Sequence, residues 1–261
     1  MLHFLPHDGA MLAVAEEGPP GAPAVVMLHS LGASSLMWAP QREALARRYR
    51  VVAMDLPGHG LSAPPVAEEL TMPALAAAVF AVMDKLGIRA AHVAGLSIGG
   101  RIAMEMAATA PDRVLSLMLC DTALTFPPRE RWEGRMAAIR EGGMAAIAQA
   151  VVANWVVDAS LPSAAALLRM LEGCHPRGYA ACAAALRDVG PPGPIACPTT
   201  VICGAADPAT PPARSQEITA HIPGARYVEI AGAAHIPCFE QEAAMTAALE
   251  DHLSRLAAAG G

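Results

Sequence analysis

Short strand-like runs, mostly apolar and alternating from Arg226 to Ile230, recur along the chain, separated by longer stretches in which apolar positions return every three to four residues. The runs lie at 24–29, 50–55, 91–96, 115–120, 199–203 and 226–230. Continuous apolarity over a strand length fits strands covered on both faces, and the helical period between them fits crossover helices. The pattern predicts an α/β fold, a mainly parallel central sheet with helices on both faces. Phe4-Leu5 and Met11 to Ala15 read as a short antiparallel start.

The alternation stops between 125 and 190. Here apolar helical patterns fall at 129–141, 143–157, 162–173 and 178–188, broken by Gly142-Gly143, Ser160-Leu161-Pro162 and His175-Pro176. Such a segment is too long to be a loop in a compact domain, and its place between two sheet strands sets it over the strand ends. The expected organisation is a core of residues 1–124 and 191–261 with an inserted helical cap, 125–190. Pro191-Pro192-Gly193-Pro194 marks the return to the core.

Candidate chemistry gathers where the strand-like runs end. Gly95-Leu96-Ser97-Ile98-Gly99 sits between an apolar strand and a helical segment, the setting of a nucleophile elbow, in which a sharp turn lifts a serine hydroxyl clear of the sheet. Such an elbow needs an acid and then a base further along, each just past a strand. Asp207 follows the run 199–203 in the turn Gly204-Ala205-Ala206-Asp207-Pro208, and His235 closes the loop after 226–230. Ser97 is thus the candidate nucleophile, His235 the base and Asp207 the group that holds the imidazole tautomer. The early strand 24–29 runs into His29-Ser30-Leu31-Gly32, so the backbone N–H groups of Leu31 and Ile98 are the expected oxyanion hole. His29, Asp55 and His59 lie in turns near this region and read as loop-ordering residues.

Composition narrows the partners. Hydrophobic residues make up 54% of the 261 positions and aromatics only 4%, so alanine-rich, closely packed helices are expected. The longest apolar stretch, 74–83, is too short to span a bilayer. A net charge of -6 without a basic run supports neither a nucleic-acid surface nor a polybasic membrane patch. Six cysteines without metal-ligand spacing read as free thiols, and no metal or organic cofactor is called for. The first residues lack the basic start and long apolar region of a signal peptide, so a cytoplasmic location is expected. A small molecule is the expected partner, and the sequence carries no signal for an oligomeric state.

Together these residues resemble the α/β-hydrolase superfamily, and within it the 3-oxoadipate enol-lactonases, from about Val25 to Leu249. The more discriminating stretches are Cys120-Asp121-Thr122-Ala123, Arg131-Trp132 with Arg135, Gly178 to Ala184, Asp207 to Pro212 and Ala233 to Pro237. Arg101 departs from that likeness, standing where an apolar residue is usual. The resemblance implies hydrolysis of 3-oxoadipate enol-lactone to 3-oxoadipate without a cofactor. That lactone carries a carboxylate, for which Arg135 is the candidate partner, with Trp132 on the same helical face and Trp155 as candidate apolar walls. A solvated Arg135 beside a core tryptophan is the alternative. A carboxylesterase, a carbon-carbon hydrolase of the same fold and a non-catalytic receptor share most of these features.

Overall fold

The computed structural model describes residues 1–259. The chain opens with an antiparallel pair, β1 (Leu2–His7) and β2 (Ala10–Glu17), and continues with β3 (Ala24–Leu28). A short helix α1 (Ala39–Leu45) leads to β4 (Arg50–Met54), and α2 (Met72–Lys85) to β5 (Ala91–Leu96). Then come α3 (Ile98–Thr109) and β6 (Val114–Cys120). Four helices follow without a strand: α4 (Arg129–Gly142), α5 (Ala145–Val152), α6 (Pro162–Glu172) and α7 (Pro176–Asp188). The chain returns with β7 (Thr199–Gly204), α8 (Pro212–His221), β8 (Arg226–Ile230), the single turn α9 (Pro237–Glu240) and α10 (Glu242–Ala259).

The eight strands form one sheet in the order β1-β2-β4-β3-β5-β6-β7-β8, parallel from β4 to β8. Every residue of β3 and β7 is buried, as continuous apolar runs require when helices cover both faces. β1 differs, alternating exposed and half-buried positions at the sheet edge. It is longer than the predicted pair Phe4-Leu5, because pairing from Leu2↔Ala15 to His7↔Ala10 is carried by the backbone and an edge strand accommodates Pro6. Helix α5 is shorter than the apolar pattern 143–157, and α7 starts earlier than 178. Pro176 occupies its first turn, and His175 caps it by accepting the Arg177 N–H at 3.2 Å.

The centre of the sheet is held by close backbone contact. A Cβ on Gly99 would lie 2.3 Å from the Leu28 carbonyl oxygen, and one on Gly95 would lie 2.3 Å from that of Gly99. These glycines let α3 pass directly under the ends of β3 and β5. Arg101, two residues on, is almost wholly buried; its guanidinium donates to Glu105 and to the Gly190 carbonyl, both at 3.1 Å. It therefore ties α3 to the segment by which the four-helix stretch rejoins the sheet. At the other side, α7 meets the loop after β4 through Gly178, whose Cβ would fall 2.5 Å from the Gly58 Cα.

Gly99→Ala is expected to destabilise the protein by about 1–3 kcal/mol, since backbone rather than a mobile side chain must give way. The urea midpoint measures this; an unchanged midpoint would contradict the close approach of α3 to β3.

Candidate active site

Ser97 stands between β5 and α3 with φ 59° and ψ -116°, a conformation that L-residues rarely adopt. The neighbouring strand end holds it there. The Ser97 N–H donates to the Cys120 carbonyl at 2.9 Å, and the Thr122 hydroxyl donates to the Ser97 carbonyl at 2.7 Å. Its side chain makes no hydrogen bond within the described chain and, at 7% exposure, faces a cleft. The N–H of Ile98 begins α3 and so has no carbonyl a turn earlier to bond. Leu31 borders the same cleft beside Ser30.

Asp207 and His235 come from the loops after β7 and β8. His235 Nδ1 donates to Asp207 Oδ2 across 2.8 Å, and both residues are buried. Asp207 Oδ2 also accepts from the Thr210 hydroxyl at 2.6 Å, and Oδ1 from the N–H groups of Ala209 and Thr210 at 2.7 and 3.2 Å. Burial opposes the charge on Asp207, but the nearby His235 and these donors outweigh it, holding the carboxyl at about 2. His235 lines the cleft with Ser97, although no hydrogen bond joins the two side chains in this structure. Such contacts commonly tighten only when substrate is bound.

The other polar residues near the strand ends order loops. Asp55 accepts from the Ser35 and Leu61 N–H groups at 2.7 and 2.9 Å. His29 Nε2 accepts from the Leu56 N–H at 2.9 Å while its Nδ1 donates to the Ser30 carbonyl at 2.7 Å. That bonding fixes a neutral imidazole, consistent with the burial that lowers its pKa. His59, wholly buried against His29, is pushed down to about 3. Cys238 is packed out of solvent, and burial pushes its thiol well up.

The cleft holds about 480 Å³ of empty space, its open mouth included. Its outer wall comes from the segment between β6 and β7: Trp132, Val151 and Leu186 on helices, Trp155 in the turn after α5 and Phe126 just before α4. Two arginines enter this apolar wall. Arg135 lies over the Trp132 ring at 5.3 Å and Arg131 at 5.8 Å. Arg135 donates to the Tyr179 hydroxyl at 3.1 Å. Among the described residues neither arginine pairs with a carboxylate, and burial followed by the charge of Arg135 lowers the Arg131 pKa. The wall is fastened to the histidine loop, since the Ile236 N–H donates to the Trp155 carbonyl at 3.0 Å. Glu240 accepts from Ala234 N–H at 2.7 Å and from Val157 N–H at 2.5 Å.

Comparison with known proteins agrees with this architecture. The family model described as alpha/beta hydrolase fold matches residues 23–175. The chain belongs to the α/β-hydrolase fold family. The hydrolase is 33% identical over 241 residues to 3-oxoadipate enol-lactonase 1 of Acinetobacter baylyi, covering 90% of each chain. It superposes on the crystal structure of the enol-lactonase from Burkholderia xenovorans LB400 with a TM-score of 0.92 at 33% identity, covering 97% of this chain and all of that one. It is also 32% identical over 251 residues to the pimeloyl-[acyl-carrier protein] methyl ester esterase of Chromobacterium violaceum, covering 88% of this chain and 94% of the esterase. No helix among the described residues is long and apolar enough to cross a membrane.

The structure of the hydrolase thus gathers Ser97, Leu31, Trp132, Arg135, Trp155 and His235 around one cleft, with Asp207 behind His235 and Ile98 behind Ser97. It also brings to the site residues to which the sequence reading gave no role, although they lie in the stretches it singled out. Arg131 lies four residues before Arg135, a spacing that shares a helix face and could have revealed it. Thr210 follows Asp207 at the spacing of a side-chain turn, another readable signal. Asp121 approaches Asp207 and His235 to within 4.8 Å only because β6 and β7 are neighbours.

The lowered Asp207 pKa has a stability consequence. Its folded value of about 2 lies below the ordinary 3.8, so the contribution is present above about pH 4 and lost as pH falls towards 2. Thr210→Val deletes one donor and should move acid unfolding to higher pH, while lowering kcat about tenfold with little change in KM. Acid titration followed by circular dichroism, with steady-state kinetics, checks both effects.

Proposed function

We propose that the hydrolase is a serine esterase that opens a carboxylate-bearing enol lactone, 3-oxoadipate enol-lactone, through Ser97, His235 and Asp207. The observation that carries this reading is the pair of arginines without carboxylate partners in the wall of the cleft that contains Ser97 and His235. Arg135 is half-buried and Arg131 more exposed, so both keep their charge facing the cleft, and a carboxylate on the substrate would supply the missing partner. The 3-oxoadipate enol-lactonases among the relatives support the choice of lactone.

In this mechanism His235 accepts the Ser97 proton as Oγ attacks the lactone carbonyl. The oxyanion is held by the Leu31 and Ile98 N–H groups, and its collapse breaks the ring ester bond and releases an enolate. The proton on His235 passes to the leaving enolate, which becomes the ketone. Water deprotonated by His235 then attacks the acyl-enzyme, and the proton returns to Ser97 as 3-oxoadipate leaves. Asp207 keeps Nδ1–H of His235 pointed away from Ser97, so that Nε2 is free to act as base. Residues 125–190 act as the cap that encloses the substrate, and Arg135, backed by Trp132 and Trp155, binds its carboxylate. None of these steps calls for a cofactor.

Loss of enol-lactone absorbance, measured beside an uncharged aryl acetate, tests the reading. Ser97→Ala should cut kcat by about 10⁴-fold or more on both substrates while leaving a folded protein. Arg135→Gln should raise KM for the lactone about tenfold to hundredfold and leave the acetate nearly unaffected. Ready cleavage of the acetate with slow lactone turnover would instead make the protein a general carboxylesterase. Retained activity in Ser97→Ala would end the serine mechanism.

A further inference from the structure

Asp121 occupies the first position after β6, at φ 42°, and is 0% exposed. Its Oδ1 accepts from the Gly204 N–H at 2.7 Å, at the end of the adjacent strand β7. Its Oδ2 is sealed from solvent and has no donor among the described residues. A carboxylate oxygen, a carboxylate oxygen of Asp207 and a ring nitrogen of His235 all lie within 4.8 Å of one another.

Two carboxylates so close in a dry site cannot both remain ionised. The donors decide which keeps the charge. Asp207 receives hydrogen bonds from two backbone N–H groups, the Thr210 hydroxyl and His235, whereas Asp121 receives one. The other titratable groups bearing on Asp121 are Glu240, whose charge is also negative, and the thiols of Cys120, Cys203 and Cys238, which burial keeps neutral. The His235 N–H that faces the cluster is already given to Asp207. Burial first, and then the charge on Asp207, push the Asp121 carboxyl well above the usual carboxylate range. The three side chains are the kind that bind metals, yet the His235 nitrogen facing the cluster carries the proton it gives to Asp207, so the vacancy at Asp121 Oδ2 suits a proton better than a cation.

We propose that Asp121 is a neutral carboxylic acid whose Oδ2–H donates to the Asp207 carboxylate, making Asp121 a positioning residue that keeps Asp207 aimed at His235. The bond satisfies the one buried oxygen of this cluster that otherwise lacks a partner. It also explains why an acidic residue is tolerated beside the acid that orients His235: the pair carries one negative charge rather than two. The catalytic consequence rests on the serine mechanism above, whereas the protonation itself does not.

Asp121→Asn separates these points, because its amide retains an acceptor for Gly204, supplies an N–H for Asp207, and tolerates a left-handed backbone. It should keep kcat/KM within about twofold of wild type and leave the acidic limb of the rate profile in place. Asp121→Ala, which has no donor, should lose about tenfold in kcat with KM little changed. Infrared difference spectra at neutral pH should show a protonated-carboxyl stretch in wild type and in Ser97→Ala that disappears in Asp121→Asn. Absence of that band from wild type would overturn the proposal. So would a fall of about one pH unit in the acidic limb of Asp121→Asn, the effect of removing a negative charge beside the His235–Asp207 pair. If Asp121→Ala does not fold, the asparagine variant and the infrared band still decide the matter. A band that persists alongside full activity in Ser97→Ala would leave the protonated pair standing and remove the serine mechanism alone.

Discussion

The site depends on how closely the first turn of α3 passes beneath the ends of β3 and β5. Gly95 and Gly99 leave no room for a Cβ there, and the resulting turn forces Ser97 into a positive φ. That conformation is costly for a residue with a side chain, so its surroundings must hold it. The Cys120 carbonyl and the Thr122 hydroxyl do so from the next strand. Strain at one residue is thus sustained by the register between β5 and β6, and the direction of the Ser97 hydroxyl is a property of the sheet rather than of a flexible loop.

The same parallel order brings the other polar groups together. Strands β6, β7 and β8 end side by side, so the residues just beyond them, Asp121, Asp207 and His235, converge although they are far apart in sequence. Asp207 collects enough donors to stay charged in spite of burial, and His235 is oriented by that charge. The polar interior is kept small and paired, as a water-poor site requires. The outer wall is built on different terms, from apolar helices carrying arginines that have no acidic partner in the described chain. It is anchored by Arg101 at Gly190, by α7 against Gly58, and by Glu240 and Trp155 at the histidine loop. Helix α3 and two of the core's loops therefore meet the wall.

Much of this was legible in the chain because the signals are local. A parallel strand buried on both faces is a mostly apolar run and a half-covered one alternates, and the boundaries of β5 and β8 match the runs read in these two ways residue for residue. Ser97 stands directly after such a run, and Asp207 and His235 stand in the short loops that follow two others, where a turn frees a side chain from the sheet. Trp132 and Arg135 were linked by helical spacing. The edge strand β1 was underestimated because backbone pairing, not hydropathy, sets its length. Arg131 and Thr210 carried readable spacings that were not used.

The sequence by itself determined the alternating order of strands and helices, the glycines that permit the elbow, and the order of the serine, acid and histidine, since each is expressed within a few consecutive residues. Only the tertiary structure decided which strands are neighbours. Asp121 reads as an ordinary residue after a strand until β6 lies against β7, which puts its carboxyl beside that of Asp207 and seals both from water. Burial and proximity between distant segments set the charge of these groups, and neither is encoded at any single position.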